Sequence, residues 1–190
     1  AMAFSQVVMV MLMGMASLHM AVYQHTLTDI SVVFSAHTFG MFAFSMLAGR
    51  LTDRWGRGPV ILSGTAMLVL ACALAPLSSD VLPLSIALFL LGVGWNLCYV
   101  GGSALLSDQL SPEERAKTQG ANDFLLGLAT AAASFGSGLM FAGTSYTVIG
   151  IVGAVASLVP MGLTAWWMAR KRRLPSVWGR KIRGFFAFIT

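Results

Sequence analysis

The chain has 190 residues, of which 57% are hydrophobic and 10% charged, and its mean hydropathy of +0.79 is far from that of a soluble globular domain. The formal net charge of +5 would ordinarily raise nucleic acid as a partner. The basic residues lie in short stretches between apolar segments, where membrane topology and anionic lipid head groups account for them, so no nucleic-acid partner is expected.

Six apolar stretches follow one another and predict six membrane-spanning helices, at about 2–23, 30–49, 58–78, 81–106, 117–141 and 145–169. Each has roughly 20 residues or more, enough at 1.5 Å rise per residue to cross a ~30 Å hydrocarbon layer. The expected fold class is therefore an all-α membrane protein. The first stretch has no basic start and is followed by further spans, which argues against a signal peptide. Because residue 1 is Ala, we expect a piece of a longer polypeptide or a processed one.

All twelve Lys and Arg residues fall on one side of this topology. They follow the second, fourth and sixth spans, and the gaps after the first, third and fifth contain none. Basic residues concentrate in cytoplasmic loops, so both termini are assigned to the cytoplasm. The residues are Arg50, Arg54, Arg57, Arg115, Lys117, Arg170, Lys171, Arg172, Arg173, Arg180, Lys181 and Arg183.

Two units are expected along the chain, a transmembrane unit at 1–173 and a tail at 174–190. The tail mixes basic residues with Trp178, Phe185 and Phe186, and its apolar run is too short to span a membrane. We expect it to lie as an amphipathic segment on the cytoplasmic face, with its basic groups toward lipid phosphates. Membrane lipids are thus expected partners, with simple anchoring favoured over regulation by lipid.

The spans divide into two triplets, one ending at about 78 and the other beginning at about 81. This division suits the nested inverted repeats of secondary transporters, although the triplets share no visible sequence identity. Small residues recur in the fourth and fifth spans, where close helix packing is the favoured interpretation. They include Gly92, Gly94, Gly101, Gly102, Gly136 and Gly138.

A polar motif at 49–58 separates the second and third spans. It reads Gly49-Arg50-Leu51-Thr52-Asp53-Arg54-Trp55-Gly56-Arg57-Gly58. It resembles the signature loop of the major facilitator superfamily, whose pattern is G-x-L-(A/S/T/G)-D-(R/K)-x-G-R-(R/K). The matching positions are Gly49, Leu51, Asp53, Arg54, Gly56 and Arg57, whereas Gly58 stands where the family has a basic residue. The family also places this loop between the second and third helices of a six-helix half, on the cytoplasmic side.

Two interpretations of this motif stay open. Asp53 lies among arginines, so a local charge network is expected, and a carboxylate can also cap a helix N-terminus. The resemblance implies that Asp53 contacts a helix of the opposite half and latches one alternating-access state, with the other matching positions forming the rest of the latch loop. The alternative is that the arginines only enforce topology.

The resemblance further implies half of a twelve-helix fold. The family's first half usually carries an Arg in its fourth helix, and the fourth span here has none. The stretch 111–117, followed by Gln119 and Gly120, is similar to the loop before the eleventh helix of bacterial facilitator proteins. We therefore expect the C-terminal half, helices seven to twelve, in a bacterial inner (plasma) membrane. The missing N-terminal half or a second copy of the chain is the expected protein partner.

Polar groups inside the spans are the candidate site residues. In the fifth span six small or polar residues share one helix face: Gln119, Asp123, Gly127, Thr130, Ser134 and Gly138. Asp123 is interpreted as a proton carrier, as a ligand for a cationic substrate, or as a structural partner of Arg115 or Lys117. In the fourth span Asn96 either binds substrate or bridges to a neighbouring helix. The resemblance implies that Asn96, Tyr99 and Asp123 line a central cavity.

Histidines provide the remaining candidates. His19 lies four residues before Tyr23 near the outer end of the first span, and His37 lies inside the second. Because histidine titrates near physiological pH, either one is a candidate proton relay. His19, His25 and Asp29 do not have a diagnostic metal-ligand spacing, and Cys72 and Cys98 form no CxxC pair. Neither a metal nor a cofactor is expected.

These patterns favour a secondary active transporter that moves a small organic solute by alternating access, with a proton as the coupling ion. An enzyme is not expected, since the sequence has no HExxH, no GxSxG nucleophile and no paired intramembrane carboxylates. The alternative is a non-transporting half-transporter that acts as a scaffold or regulatory membrane partner.

Overall fold

The computed structural model describes residues 1–173, and in this range every regular element is a helix. Six candidate membrane spans meet the criteria of length and hydropathy, which confirms the all-α, six-span prediction. The expected tail at 174–190 lies outside the described residues. The helices are α1 (Met2–Val22), α2 (Leu27–Phe42), α3 (Ser45–Trp55), α4 (Arg57–Leu74), α5 (Val81–Ser107), α6 (Pro112–Gly143) and α7 (Tyr146–Arg173), with a 3₁₀ turn (Ala75–Leu77) after α4.

The second span differs from the single helix expected at 30–49. It runs from Leu27 to Trp55 and is interrupted at residues 43–44, so that α2 and α3 together form one span. The motif expected to be a loop is helical as far as Trp55, and only Gly56 separates α3 from α4. Gly56 has φ +88°, a conformation that costs little for glycine and is strained for other residues. This turn therefore depends on a glycine at the matching motif position.

The fifth span also begins earlier than expected. Helix α6 starts at Pro112, because Ser111 and Glu114 form a capping box that satisfies donors of the first turn. Pro112 occupies the first helical position, where its missing N–H costs nothing. The polar stretch 111–117 is consequently the first turn of a helix rather than a loop.

Helix α5 lies at the centre of the bundle and packs against α1, α2, α3 and α4. Glycines allow the closest approaches. A Cβ added at Gly40 would lie 2.5 Å from the backbone oxygen of Phe89, and one added at Gly64 would lie 2.8 Å from that of Gly94. Membrane helices associate through such close van der Waals packing, since burial in lipid provides no hydrophobic driving force between them. A Cβ added at any of the four glycines predicted to pack in α5, Gly92, Gly94, Gly101 and Gly102, would also lie within about 3 Å of an atom of another helix, so the packing interpretation holds for them.

Helix α6 is the least enclosed span. It packs chiefly on α1, and a Cβ added at Gly136 or Gly138 would meet nothing within 4 Å among the described residues. Among the described residues these two glycines therefore have no packing partner. Large apolar side chains on α6 are also exposed, namely Phe124, Leu125, Leu128, Phe135 and Leu139. One face of α6 is therefore left for lipid or for another protein segment.

Candidate functional site

Polar side chains connect α1, α5 and α6 inside the bundle. The indole Nε1 of Trp95 donates a hydrogen bond to Gln6 Oε1 at 2.8 Å. The amide Nε2 of the same Gln6 donates to Thr130 Oγ1 at 2.9 Å. Unpaired polar groups are costly in an apolar environment, so these bonds fix the relative position of the three helices.

An aromatic pair continues this connection along α5. Trp95 and Tyr99 are four residues apart and stack with ring centroids 5.1 Å apart and an interplanar angle of 17°. The Tyr99 hydroxyl donates to Asp123 Oδ1 on α6 at 3.4 Å. The aromatic pair thus leads from Gln6 on α1 to the carboxylate on α6.

Asp123 is surrounded by neutral hydrogen-bond donors. Besides the Tyr99 hydroxyl, Gln119 Nε2 at 3.0 Å and Asn122 Nδ2 at 3.3 Å donate to the same oxygen, Oδ1. Ser103 donates in turn to Gln119 Oε1 at 3.2 Å. Asp123 lies roughly 16 Å along α6 from its start, at 1.5 Å rise per residue. Asp123 thus lies about a third of the way along α6, which is one of the six candidate spans.

The structure brings together the polar face predicted for the fifth span and Tyr99 of the fourth. Asp123, Gln119 and Thr130 all contact side chains of other helices or of the same face. Among residues 1–170, whose side chains the structure describes, Asp123 forms no ion pair, and neither Arg115 nor Lys117 is its partner. We call Gln6, Trp95, Tyr99, Asp123 and Gln119 the α1–α5–α6 site.

Asn96 lies apart from this site. Its side chain is 3% exposed, and its Nδ2 donates to the Met41 carbonyl at 2.6 Å and to Ser45 Oγ at 2.8 Å. These acceptors flank the interruption between α2 and α3. The last carbonyls of a helix have no partner within that helix, so Asn96 satisfies one of them from α5. This geometry agrees with the interpretation that Asn96 bridges to a neighbouring helix.

His37 belongs to the contact between α2 and α5. Its ring is fully buried, and Nδ1 lies 2.9 Å from the Leu88 carbonyl oxygen, so the ring nitrogen donates to that oxygen. Its Nε2 is buried without a hydrogen-bond partner in the described part of the chain. His37 is thus placed among packed helices rather than in the α1–α5–α6 site.

His19 lies at the other end of the bundle from the motif. Its ring stacks on Tyr146 with centroids 4.4 Å apart and meets the edge of Tyr23 at 5.1 Å. The two tyrosines and His19 line a cleft of about 360 Å³ with residues around the start of α7. Nearby, His25 Nδ1 lies 3.9 Å from an oxygen of Asp29, which also forms a capping box with Thr26. His19 and Tyr23, which were predicted to share one helix face, therefore contact each other through their rings.

Arg57 holds the motif in place at the basic end of the bundle. Its Nε donates to Asp108 Oδ2 at 2.9 Å and its Nη2 to Asp108 Oδ1 at 3.4 Å, a two-pronged pairing with the end of α5. Its Nη1 donates to the Thr52 carbonyl at 3.0 Å and to Asp53 Oδ1 at 3.3 Å. The charge network expected around Asp53 is present, and among the residues whose side chains are described its arginine is Arg57.

Three residues of these networks escaped the sequence-based list. Asp108 follows the fourth span on the same side as the motif, so topology places it on the side of Arg57 but does not specify their pairing. Gln6 is a polar residue within an apolar span, the ordinary signal of a functional position. Trp95 lies one helical turn before Tyr99, a spacing that allows contact.

This chain is similar to known membrane transporters along most of its length. The model of the Major Facilitator Superfamily matches residues 1–184. Two uncharacterized MFS-type transporters of Bacillus subtilis (strain 168), YddS and YdeG, are 41% and 38% identical over 172 residues, which is 89% of this chain and 39% and 40% of theirs. The riboflavin transporter RfnT of Brucella anthropi is 31% identical over 145 residues, 76% of this chain and 36% of its own. The chain spans about two-fifths of the length of these curated relatives.

Proposed function

This chain belongs to the major facilitator superfamily, and we propose that it forms one six-helix half of a secondary active transporter that moves a small organic solute by alternating access. Six apolar spans and the family assignment make it an integral membrane protein. Among the relatives reported above, RfnT is named as a transporter of riboflavin. This name supports a small organic solute as the substrate class.

The observation that carries the proposal is the carboxylate of Asp123. A charged side chain at the centre of a bilayer costs about 2.5–3.5 kcal/mol on insertion scales, so such groups are functional candidates by default. Asp123 is exposed and hydrogen-bonded only to neutral groups in the described range. We propose that it carries the coupling proton on Oδ2, while Tyr99 and Gln119 hold the other oxygen, Oδ1, in place.

The second half of the transporter is a proposed partner. The matched relatives are more than twice as long as the aligned region, which supports a further set of helices opposite this one. We propose that this chain corresponds to the C-terminal half, with the two triplets as inverted repeats and both ends on the cytoplasmic side. The exposed face of α6 and its open glycines then supply surface for the opposite half.

Asp53 is the proposed latch. Its side chain is 76% exposed, and Arg57 reaches only one of its oxygens. Arg57 itself pairs with Asp108 at the end of α5, so Asp53 lies beside a turn that this pair holds in place. We propose that the exposed carboxylate contacts a helix of the opposite half in one alternating-access state, a coupling of about 1–3 kcal/mol.

Proton movement during transport tests the proposal. The product of the complete coding sequence that contains this chain is reconstituted in vesicles that hold a pH-sensitive dye. Riboflavin and 1-methylquinolinium are the probes. A probe that is transported changes the internal pH for the wild type and for the control Asp80→Asn, since Asp80 lies outside the α1–α5–α6 site. The Asp123→Asn variant moves no protons. A pH change of wild-type size in Asp123→Asn refutes the proton site, and a wild type that moves neither probe favours the scaffold alternative.

A further inference from the structure

The α1–α5–α6 site combines an aromatic surface with a carboxylate oxygen, Asp123 Oδ2, that accepts no hydrogen bond from the described residues. We propose that this site selects a planar organic cation, which stacks on Trp95 or Tyr99 and places its positive charge at Asp123 Oδ2. The proposal names the substrate class for the transport site, and it therefore rests on the proposed function.

The first step concerns charge. An ionised carboxylate offers about four lone-pair positions on two oxygens. The three donors to Asp123 all reach Oδ1, and in the described part of the chain Oδ2 accepts no hydrogen bond. All three donors are neutral, so no cation among residues 1–170, whose side chains the structure describes, is paired with the carboxylate. A mobile cation can supply that balance, whereas an anion would be repelled.

The second step concerns shape. The rings of Trp95 and Tyr99 are nearly parallel, and both residues are partly buried. Hydrogen bonds at their polar tips hold them, from Trp95 to Gln6 and from Tyr99 to Asp123. Aromatic faces attract cations within about 6 Å of the ring centroid, and flat aromatic ligands stack on them. A held ring pair therefore favours a flat ligand over a bulky one of equal charge.

The third step concerns space. Gly120 and Gly127 lie about one helical turn before and after Asp123 on α6. A Cβ added at either position would meet nothing within 4 Å among the described residues. The carboxylate is thus flanked by open surface on its own helix. The Tyr99 hydroxyl bonded to Asp123 makes the aromatic surface and the charge parts of one continuous site.

A binding measurement without any ion gradient tests the selection. The complete protein in lipid nanodiscs is titrated calorimetrically with 1-methylquinolinium, a planar cation. The comparison ligands are 1-methylquinolin-2-one, which is planar and neutral, and tetraethylammonium, which is charged and not planar. We expect the planar cation to bind about tenfold or more tightly than either, the size of one desolvated cation–aromatic or ion contact.

Variants test the charge contact at Asp123 and the aromatic contact at Trp95 and Tyr99 separately. Asp123→Asn lowers affinity for the planar cation about tenfold and changes that for the neutral ligand less than about twofold, because only the charge contact is lost. Trp95→Leu lowers affinity for the planar cation more than for tetraethylammonium, because both cations lose an attraction to the ring face and only the planar one also loses a stacking contact. Tyr99→Phe keeps the ring and so loses less than Tyr99→Leu. Phe124→Leu is the matched control, since Phe124 adjoins Asp123 in sequence and shares none of these contacts.

Equal affinity of the wild type for the planar cation and its neutral counterpart overturns the proposal, as does an unchanged cation affinity in Asp123→Asn. Retained affinity of Asp123→Asn for the neutral planar ligand excludes misfolding as the cause of a loss, and Asp123→Glu, which restores the charge, must recover cation binding. Because binding is read without a gradient, its result is independent of proton coupling. Loss of proton movement in Asp123→Asn with no cation preference leaves the proposed function in place and removes only this inference.

Discussion

Replacement of Asn96 by leucine tests how the interrupted second span is held together. The change removes two donor contacts, to the Met41 carbonyl and to Ser45 Oγ, and leaves the carbonyl without a side-chain partner at the end of α2. Hydrogen bonds between membrane helices average about 0.6 kcal/mol each, so two give a lower estimate of about 1.2 kcal/mol. A buried carbonyl left without a partner costs about 1–3 kcal/mol.

The expected loss of unfolding free energy is therefore about 1–3 kcal/mol. Part of this loss is offset, because leucine also removes the Asn96 Oδ1, a buried oxygen that has no hydrogen-bond partner in the described residues. Steric-trap unfolding in lipid bilayers measures the free energy, and amide hydrogen exchange locates the change. Exchange should rise at residues 41–48 and stay constant in α7.

Ser45→Ala is the matched control, because it removes one of the two acceptors and leaves the carbonyl bond in place. It should cost about 0.6 kcal/mol, and the double variant should cost less than the sum of the two single changes. A loss below about 0.3 kcal/mol in Asn96→Leu, with unaltered exchange at 41–48, would refute the view that this amide holds the interruption.

Three further predictions concern the turn and the helix contacts. Gly64→Ala should lower the unfolding free energy by about 1–3 kcal/mol, because the added Cβ would press on the backbone of α5. Gly127→Ala, at an open position, should change the unfolding free energy by no more than about 0.5 kcal/mol in the same assay. Gly56→Ala should cost about 1–2 kcal/mol because of the positive φ, and an unchanged midpoint in thermal unfolding would count against a fixed turn. Arg57→Lys loses the two-pronged contact with Asp108. Because the Asp108 side chain is half exposed, a double-mutant cycle with Asp108→Asn should give a coupling energy of only about 0.5 kcal/mol. A coupling energy near zero would mean that the pair does not form in the membrane.

The sequence predicted those features that depend on local pattern. Apolar length gave the six spans, and the 3.6-residue period placed Asp123, Gln119 and Thr130 on one face of α6. The motif positions gave the family, which its model confirms over residues 1–184. Each of these signals is carried by residues within one helix or one turn.

The features that escaped prediction depend on contacts between distant parts of the chain. No Gly or Pro lies at residues 41–48, so the interruption of the second span has no local signal, and its partner Asn96 comes from α5. The bond from Trp95 to Gln6 joins residues 89 positions apart. Such pairs follow from how helices are arranged around α5, which hydropathy does not specify.

Accumulation of a transported probe against its concentration gradient tests the role of Asp123 most directly. Vesicles with an imposed pH gradient are compared for the wild type, Asp123→Asn, Asp123→Glu and the control Asp80→Asn. A proton carried by Asp123 predicts accumulation by the wild type and Asp80→Asn, partial accumulation by Asp123→Glu, and none by Asp123→Asn. Accumulation by Asp123→Asn at the wild-type level would contradict the assignment of the coupling proton to this carboxylate.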